Sequence, residues 1–257
     1  MDLIWRLIFF VTIGSLILIL HKWIGKYPEP LTQSSEPKKE IKDVLFLWCI
    51  AVIFPIIRIF AISPWLNNII NQRFFIELAY VPMLATTYIA IPFIFIIRRS
   101  KWSKTDLGLN WNVKSWGVTV FAVTLGLISG LTAFLSDQAV ISSDPIRIGT
   151  LVLLLFNNDF IEEFFHRGII QSKLERVIGQ NKAILLGGIL FGLTHITFDI
   201  TQLLDSGIIF VFFAFVLQTM LGWLLGIIYM KTRSLWPGII CHYLVNWLPS
   251  ILVGIFS

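Results

Sequence analysis

Residues 206–230 read SGIIFVFFAFVLQTMLGWLLGIIYM, 25 residues without a charged side chain between Asp205 and Lys231. Coiled as one helix, such a run is about 37 Å long, more than the roughly 30 Å of hydrocarbon in a bilayer. The pattern recurs outward from it. Glu77 to Arg98 encloses 20 uncharged residues, Lys114 to Asp137 encloses 22, and Arg233 leaves 24 to the C-terminus. Each run suffices for a crossing helix.

The whole composition agrees. Of 257 residues 56% are hydrophobic and only 14% charged, with 22 Phe and 10 Trp, and the mean hydropathy is +0.82. Soluble domains carry about 25% charged residues, so this chain is excluded from that class and read as an all-α polytopic membrane protein, a bundle of about eight transmembrane helices. Cys49 and Cys241 lie in apolar segments and read as small buried hydrophobes, not as a disulfide or a metal pair. The N-terminal apolar run lacks a small-residue cleavage site and reads as a retained first span. The net charge of +5 invites a nucleic-acid partner. The basic residues instead sit in short loops between apolar runs, where they set topology, so membrane lipid is expected and nucleic acid is not.

Eight helices are expected at about 3–21, 44–62, 74–97, 116–135, 146–172, 183–199, 206–230 and 235–256. Pro55 and Arg58 interrupt the second and predict a kink. Residues 26–43 (KYPEPLTQSSEPKKEIKD) form a polar, Pro-rich linker that makes the first helix peripheral, dividing the chain into 1–43 and 44–257. Gly126/Gly130, Gly188/Gly192 and Gly222/Gly226 are Gly-x-x-x-Gly pairs that let helix backbones approach closely. Trp23, Trp65, Trp102, Trp111 and Trp236 read as interfacial anchors.

Polar residues where polar residues are costly carry the functional signal. NNDFIEEFFHRGIIQ (157–171) puts Asp159, Glu162, Glu163, His166 and Arg167 in one span. Glu163 and Arg167 stand four apart and read as a structural ion pair. Glu162 points about 100° away and stays available. Asn157, Asn158 and Asp159 read as interhelical hydrogen-bonding groups or as cavity lining. His195 lies within FGLTHITF, and His242 and Asn246 share one face of WPGIICHYLVNW. Counted from the basic ends of their helices, Glu162, His195 and His242 lie roughly 15, 18 and 10 Å deep at 1.5 Å per residue, in one layer. That constellation suits acid–base chemistry.

The motifs E-E-x-x-x-R (Glu162, Glu163, Arg167), F-x-x-x-H (Phe191, His195) and H-x-x-x-N (His242, Asn246), in this order, resemble those of the CAAX protease and bacteriocin-processing (CPBP, or Abi) family of intramembrane proteases, whose members include CAAX prenyl endopeptidases. The resemblance spans 162–246 and implies an eight-helix endopeptidase with its site below the cytoplasmic surface, so that 44–257 would be the catalytic core. It implies Glu162 and His195 as activators of the attacking water, His242 and Asn246 as oxyanion donors, and Glu163–Arg167 as the pair that holds the helix. His166 stands where the family carries an apolar or aromatic residue. The implied substrate is a hydrophobic or prenylated membrane-associated peptide, trimmed at a C-terminal CAAX box or cut as a bacteriocin or signalling precursor.

Two chemistries stand open at this level. Glu162, His195 and His242 compose a His2Glu set for one divalent metal such as zinc, with water in the fourth position, and the family is often named a metalloprotease family. H-E-x-x-H on one helix is absent, and a metal-free glutamate mechanism fits equally. A non-proteolytic scaffold or immunity factor of the same fold is the alternative from another class. A proton-coupled transporter would also use intramembrane Glu and His, but it predicts internal repeats that the chain lacks.

Orientation follows from Lys and Arg. Connections 1–2, 3–4, 5–6 and 7–8 hold 15 of the 20 basic residues, whereas the other side has only Arg6, Arg73 and Arg147. The chain is therefore expected to be an integral multi-pass protein of the cell membrane with both termini non-cytoplasmic. Cysteine labelling checks this: a cysteine in 98–115 is expected to react from the cytoplasm and one at either terminus only from the opposite side. The reverse pattern refutes the topology.

Overall fold

The computed structural model describes residues 3–69, 82–94, 102–111, 113–135, 158–199 and 203–256. Among these there are eight helices and no strand. They are α1 (Leu3–Lys22), α2 (Pro37–Ile57, continuing through a π-helical turn, Arg58–Ile62, into Ser63–Ile69), α3 (Pro82–Ile94) and α4 (Trp116–Leu135). The others are α5 (158–178), α6 (Gln180–Asp199), α7 (Leu203–Thr232, broken at Gly207) and α8 (Trp236–Phe256).

Pro37–Leu66, Trp116–Leu135, Gly207–Thr232 and Trp236–Val253 are each long and apolar enough to cross a membrane. The fold is thus an all-α membrane bundle. Its outer face confirms the solvent: Ile53, Ile57 and Phe60 of α2, Leu127, Ile128 and Leu131 of α4, and Ile208, Ile209 and Phe212 of α7 are exposed. In water so many exposed apolar side chains drive association; in lipid they cost nothing. The same reasoning corrects the reading of Cys49, which faces outward, while Cys241 is buried.

Several boundaries differ from expectation, with α2 running on to Ile69, α6 starting at Gln180 and α7 spanning Leu203–Thr232, and two of the shifts have a plain physical reason. Residues 37–43, read as linker, are the first turns of α2: Pro37 occupies an N-terminal helical position, where its missing N–H costs nothing, and Lys and Glu follow as good helix formers. α5 runs on to Ile178 and ends at Gly179, whose positive φ of 81° is a backbone conformation that glycine adopts at little cost. Expected helical residues 74–81, 95–97 and 146–157 lie outside the described residues.

Glycine seams fix how the helices meet. A Cβ on Gly222 of α7 would come 2.8 Å from the Cα of Gly188 on α6, and one on Gly192 would come 3.0 Å from the Thr219 backbone nitrogen. On the other side, a Cβ on Gly130 of α4 would lie 2.6 Å from the Leu244 carbonyl of α8, and one on Gly126 3.1 Å from that of Cys241. The α6–α7 and α4–α8 pairs are therefore backbone-to-backbone contacts. Seated between them, α5 presents Gln171, whose side chain donates to the Gly226 carbonyl at 3.0 Å.

All four basic connections meet at one end of the bundle. Ser34 N–H donates to the Arg176 carbonyl, Lys114 N–H to that of Thr232 and Leu235 N–H to that of Gly108. Lys173, fully buried, pairs with Glu40 and with Asp43 at 3.0 Å. Arg233 holds Glu175 with two 2.6 Å hydrogen bonds, and Glu175 accepts the Leu31 N–H at 3.0 Å. Lys231 donates to the carbonyls of Leu20, His21, Ile24 and Gly25 at 2.7–3.0 Å, closing the C-terminus of α1, where a cation is favoured. Burial pushes the Asp106 carboxyl up, but hydrogen bonds from Ser103 and the Arg176 charge outweigh it and hold it below its ordinary value. Trp102, read as an anchor, is instead buried here, its ring 4.8 Å from the Arg176 guanidinium and 5.3 Å from the Lys173 ammonium. The exposed anchors are Trp23, Trp65 and Trp111.

If the α6–α7 seam sets the bundle, Gly222→Ala is expected to lower stability by about 1–3 kcal/mol, the scale of overpacking, as a fall in thermal midpoint in detergent. An unchanged midpoint would show that the two backbones separate freely.

Candidate active site

Residues four apart on α5 form two stripes. One holds Asn158 and Glu162 and continues to His166; its neighbour holds Asp159 and Glu163 and continues to Arg167. Beyond Glu163 the helix widens into a π-helical stretch, Phe164–Gln171, a distortion frequent at functional sites. Each stripe faces a different partner, so the two adjacent glutamates have separate surroundings.

Glu162 faces α6. Its Oε2 lies 3.8 Å from His195 Nε2, and the two side chains keep 19% and 18% of their surface exposed. Its Oε1 accepts from the Asn158 amide at 3.2 Å. His195 Nδ1 is 2.9 Å from the Phe191 carbonyl. A carbonyl only accepts, so Nδ1 carries the proton and donates; in the neutral ring Nε2 is then the acceptor, turned toward Glu162.

Glu163 faces α8 and is 1% exposed. Its Oε2 is 3.3 Å from Arg167 Nε, the expected ion pair. The structure adds a second partner: Glu163 Oε1 is 3.1 Å from His242 Nδ1, which a carboxylate keeps protonated and donating. His242 Nε2 points in turn toward Asp159, 3.8 Å from its Oδ1, and the same oxygen accepts the Asn246 amide at 3.0 Å. Asp159 is fully buried and joins the two α8 side chains, the interhelical role among the two readings of this residue. The spacing of Asp159 four residues before Glu163 carries that signal, because it puts both on the face that meets the His242/Asn246 face.

The seams explain why these groups meet. Gly126 and Gly130 press α4 against α8 at Cys241 and Leu244, on either side of His242. Gly188 and Gly192 press α6 against α7, two turns and one turn before His195. Arg167 lies in the interior with no nitrogen hydrogen-bonded among the described residues; its guanidinium stacks on Phe191, 4.4 Å from the ring centre. His166 is buried, edge-on to Phe165 and Phe191, and its Nδ1 has no hydrogen-bond partner among the described residues.

Divalent-metal ligation by Glu162, His195 and His242 requires the three to converge on one point within about 2 Å each. His242 is instead turned to Glu163 and Asp159, and among the described residues no group of three His, Cys, Asp or Glu side chains is placed to hold an ion. The donor set does not fit a metal in this arrangement.

Residues 145–248 match the family model described as type II CAAX prenyl endopeptidase, Rce1-like. The match covers less than half of the chain and takes in every motif residue from Glu162 to Asn246, which agrees with the CAAX protease resemblance carried by those motifs. No curated protein and no solved structure matches the chain.

The two glutamates are expected to respond differently to amide substitution. Glu163→Gln leaves the Arg167 charge buried without its counter-charge and is expected to cost about 3–5 kcal/mol. Glu162→Gln, at a carboxylate partly open and bonded to an amide, is expected to cost about 1 kcal/mol or less. Thermal unfolding of both variants in one detergent measures the difference, and equal losses would refute the division into a reacting and a structural carboxylate.

Proposed function

We propose that the chain is an intramembrane endopeptidase that cleaves a hydrophobic or prenylated membrane-associated peptide near the cytoplasmic face, using water activated by Glu162 and His195. The family match supports a peptidase. The observation that carries the mechanism is the pairing of Glu162 Oε2 with the acceptor nitrogen of His195 at 3.8 Å. Two acceptors have no hydrogen to share, and at that separation they suit a water that donates one hydrogen to each.

Attack then runs as follows. Glu162 takes the proton as the water oxygen bonds to the scissile carbonyl carbon, and His195 orients the second hydrogen. The carbonyl oxygen becomes an oxyanion, which His242 Nε2–H and Asn246 would stabilise. Asn246 donates one amide hydrogen to Asp159 and retains a second for the oxyanion, and His242, protonated on both ring nitrogens in this step, gives Nδ1–H to Glu163 and Nε2–H to the oxyanion. Such donors act most strongly where water is excluded. Collapse of the intermediate breaks the carbon–nitrogen bond, and Glu162 returns its proton to the leaving amine.

Orientation belongs to the same reading: both termini outside, and the basic end of the bundle at the cytoplasmic surface. The union of the four basic connections at one end supports it, since the positive-inside rule assigns that end to the cytoplasm. A bilayer-embedded site would receive its substrate from lipid, as a lipidated or apolar peptide requires.

Incubation of the purified chain in liposomes with prenylated and unmodified peptides, read by mass spectrometry, tests the activity. Glu162→Gln is expected to remove cleavage by at least about 100-fold while remaining folded; wild-type turnover in that variant sinks the assignment of the base. Asn246→Ala is expected to lower kcat by about 10²- to 10³-fold with little change in KM, the scale of one lost oxyanion donor. A change in KM alone would assign Asn246 to substrate binding.

A further inference from the structure

Phe191 is fully buried on α6, one turn before His195, and four groups able to carry positive charge surround its ring. The His195 ring lies 4.3 Å away centre to centre, His166 4.9 Å and His242 6.1 Å, and the Arg167 guanidinium is 4.4 Å from the ring centre. These belong to three helices, α5, α6 and α8. The approach angles differ: His166 and His242 meet the ring at 78° and 64°, His195 at 43°. An aromatic face carries partial negative charge and attracts cations without being a hydrogen-bond acceptor of fixed direction. It is therefore a wall against which the Arg167 guanidinium and the imidazole rings can rest together, where a carboxylate would form one strong pair with one of them. For Arg167 the ring adds to the Glu163 ion pair at 3.3 Å, since none of its nitrogens is hydrogen-bonded among the described residues.

The ring itself is fixed by backbone. A Cβ on Gly222 of α7 would come 3.2 Å from the Phe191 Cβ, and the adjacent Gly192 abuts Thr219 and the Phe215 carbonyl. The α6–α7 seam thus sets Phe191, and Phe191 touches the rings of the water-activating and oxyanion histidines.

We propose that Phe191 is a positioning residue, the shared aromatic wall that holds His195, His242 and Arg167 at their working angles. The inference deepens the peptidase reading and rests on it for the catalytic consequence alone. Phe191→Leu keeps an apolar side chain and removes the ring. It is expected to lower kcat by about tenfold or more, the scale of a buried aromatic–cation contact, with KM nearly unchanged. Phe191→Tyr, which keeps the ring, is expected to recover most of the loss.

A spectroscopic arm is independent of cleavage. The chain has four histidines, and His21 lies apart from the site at the end of α1, its ring against Tyr27. In protein labelled with nitrogen-15 at histidine, Phe191→Leu is expected to move the imidazole signals of His166, His195 and His242 and to leave that of His21 in place; Phe191→Tyr is expected to keep all four near wild type. Should wild type cleave no peptide, the peptidase reading fails, and these spectra still decide whether Phe191 holds the rings. The proposal is overturned if folded Phe191→Leu leaves the three site signals as still as that of His21, if those signals move while kcat does not, or if Phe191→Tyr behaves like Phe191→Leu. Phe191→Met serves if the leucine variant does not fold, and failure of both to fold overturns the proposal by making the ring a requirement of the fold itself.

Discussion

Glu163 lies in the interior between Arg167 at 3.3 Å and His242 at 3.1 Å. A lone carboxylate taken out of water would cost several kcal/mol, so its two partners are a condition of the helix sitting where it does. The arginine comes from the same helix and the histidine from α8, so one condition ties the internal register of α5 to the register between α5 and α8. Once those are set, Asp159 meets Asn246 and the neighbouring stripe turns Glu162 toward His195. The chemistry proposed for Glu162 depends on Glu163 meeting this electrostatic need, because a single carboxylate serving both Arg167 and the reaction would have its charge already satisfied.

The end of the bundle where the basic connections meet applies the same rule to loops. Lys173, Lys231 and Glu175 are buried, and each is met by groups from distant parts of the chain: Glu40 and Asp43, the carbonyls ending α1, and Arg233 with the Leu31 N–H. Residues 26–43 are thereby bound across the ends of α5 and α7 and are more than a tether for α1. Charge here does two jobs, in that excess positive charge favours one side of a membrane and buried pairs fix the loops to one another.

Much of this was legible in the chain. Uncharged runs mark the helices because hydrocarbon tolerates no unmet backbone polarity, and residues 206–230 alone dictate the class. The Glu162/Glu163 division was legible from helical phase, as was the face shared by His242 and Asn246. The second partner of Glu163 was not, because periodicity reports which residues share a face and is silent on which face of another helix they meet. Trp102 shows a similar limit: a tryptophan near a span end suits the interface on composition, yet two basic side chains from α5 cover it. Cys49 shows that in lipid an apolar position carries no instruction to turn inward, and the start of α2 at Pro37 shows that a polar run with a helix-compatible proline reads as easily for helix as for linker.

The glycine seams also bear on how the bundle can move. Helices joined through backbone contact have little side chain between them to rotate aside, so α6 with α7 and α4 with α8 are expected to move as two plates, with the soft directions of the molecule between plates. Glu162 and His195 stand at the border of α5 with the first plate, His242 and Asn246 on the second. Under the proposed mechanism, any breathing that admitted an extended peptide between them would change the distance from the proposed water site to the proposed oxyanion donors in the same stroke, so that access and alignment are set by a single coordinate.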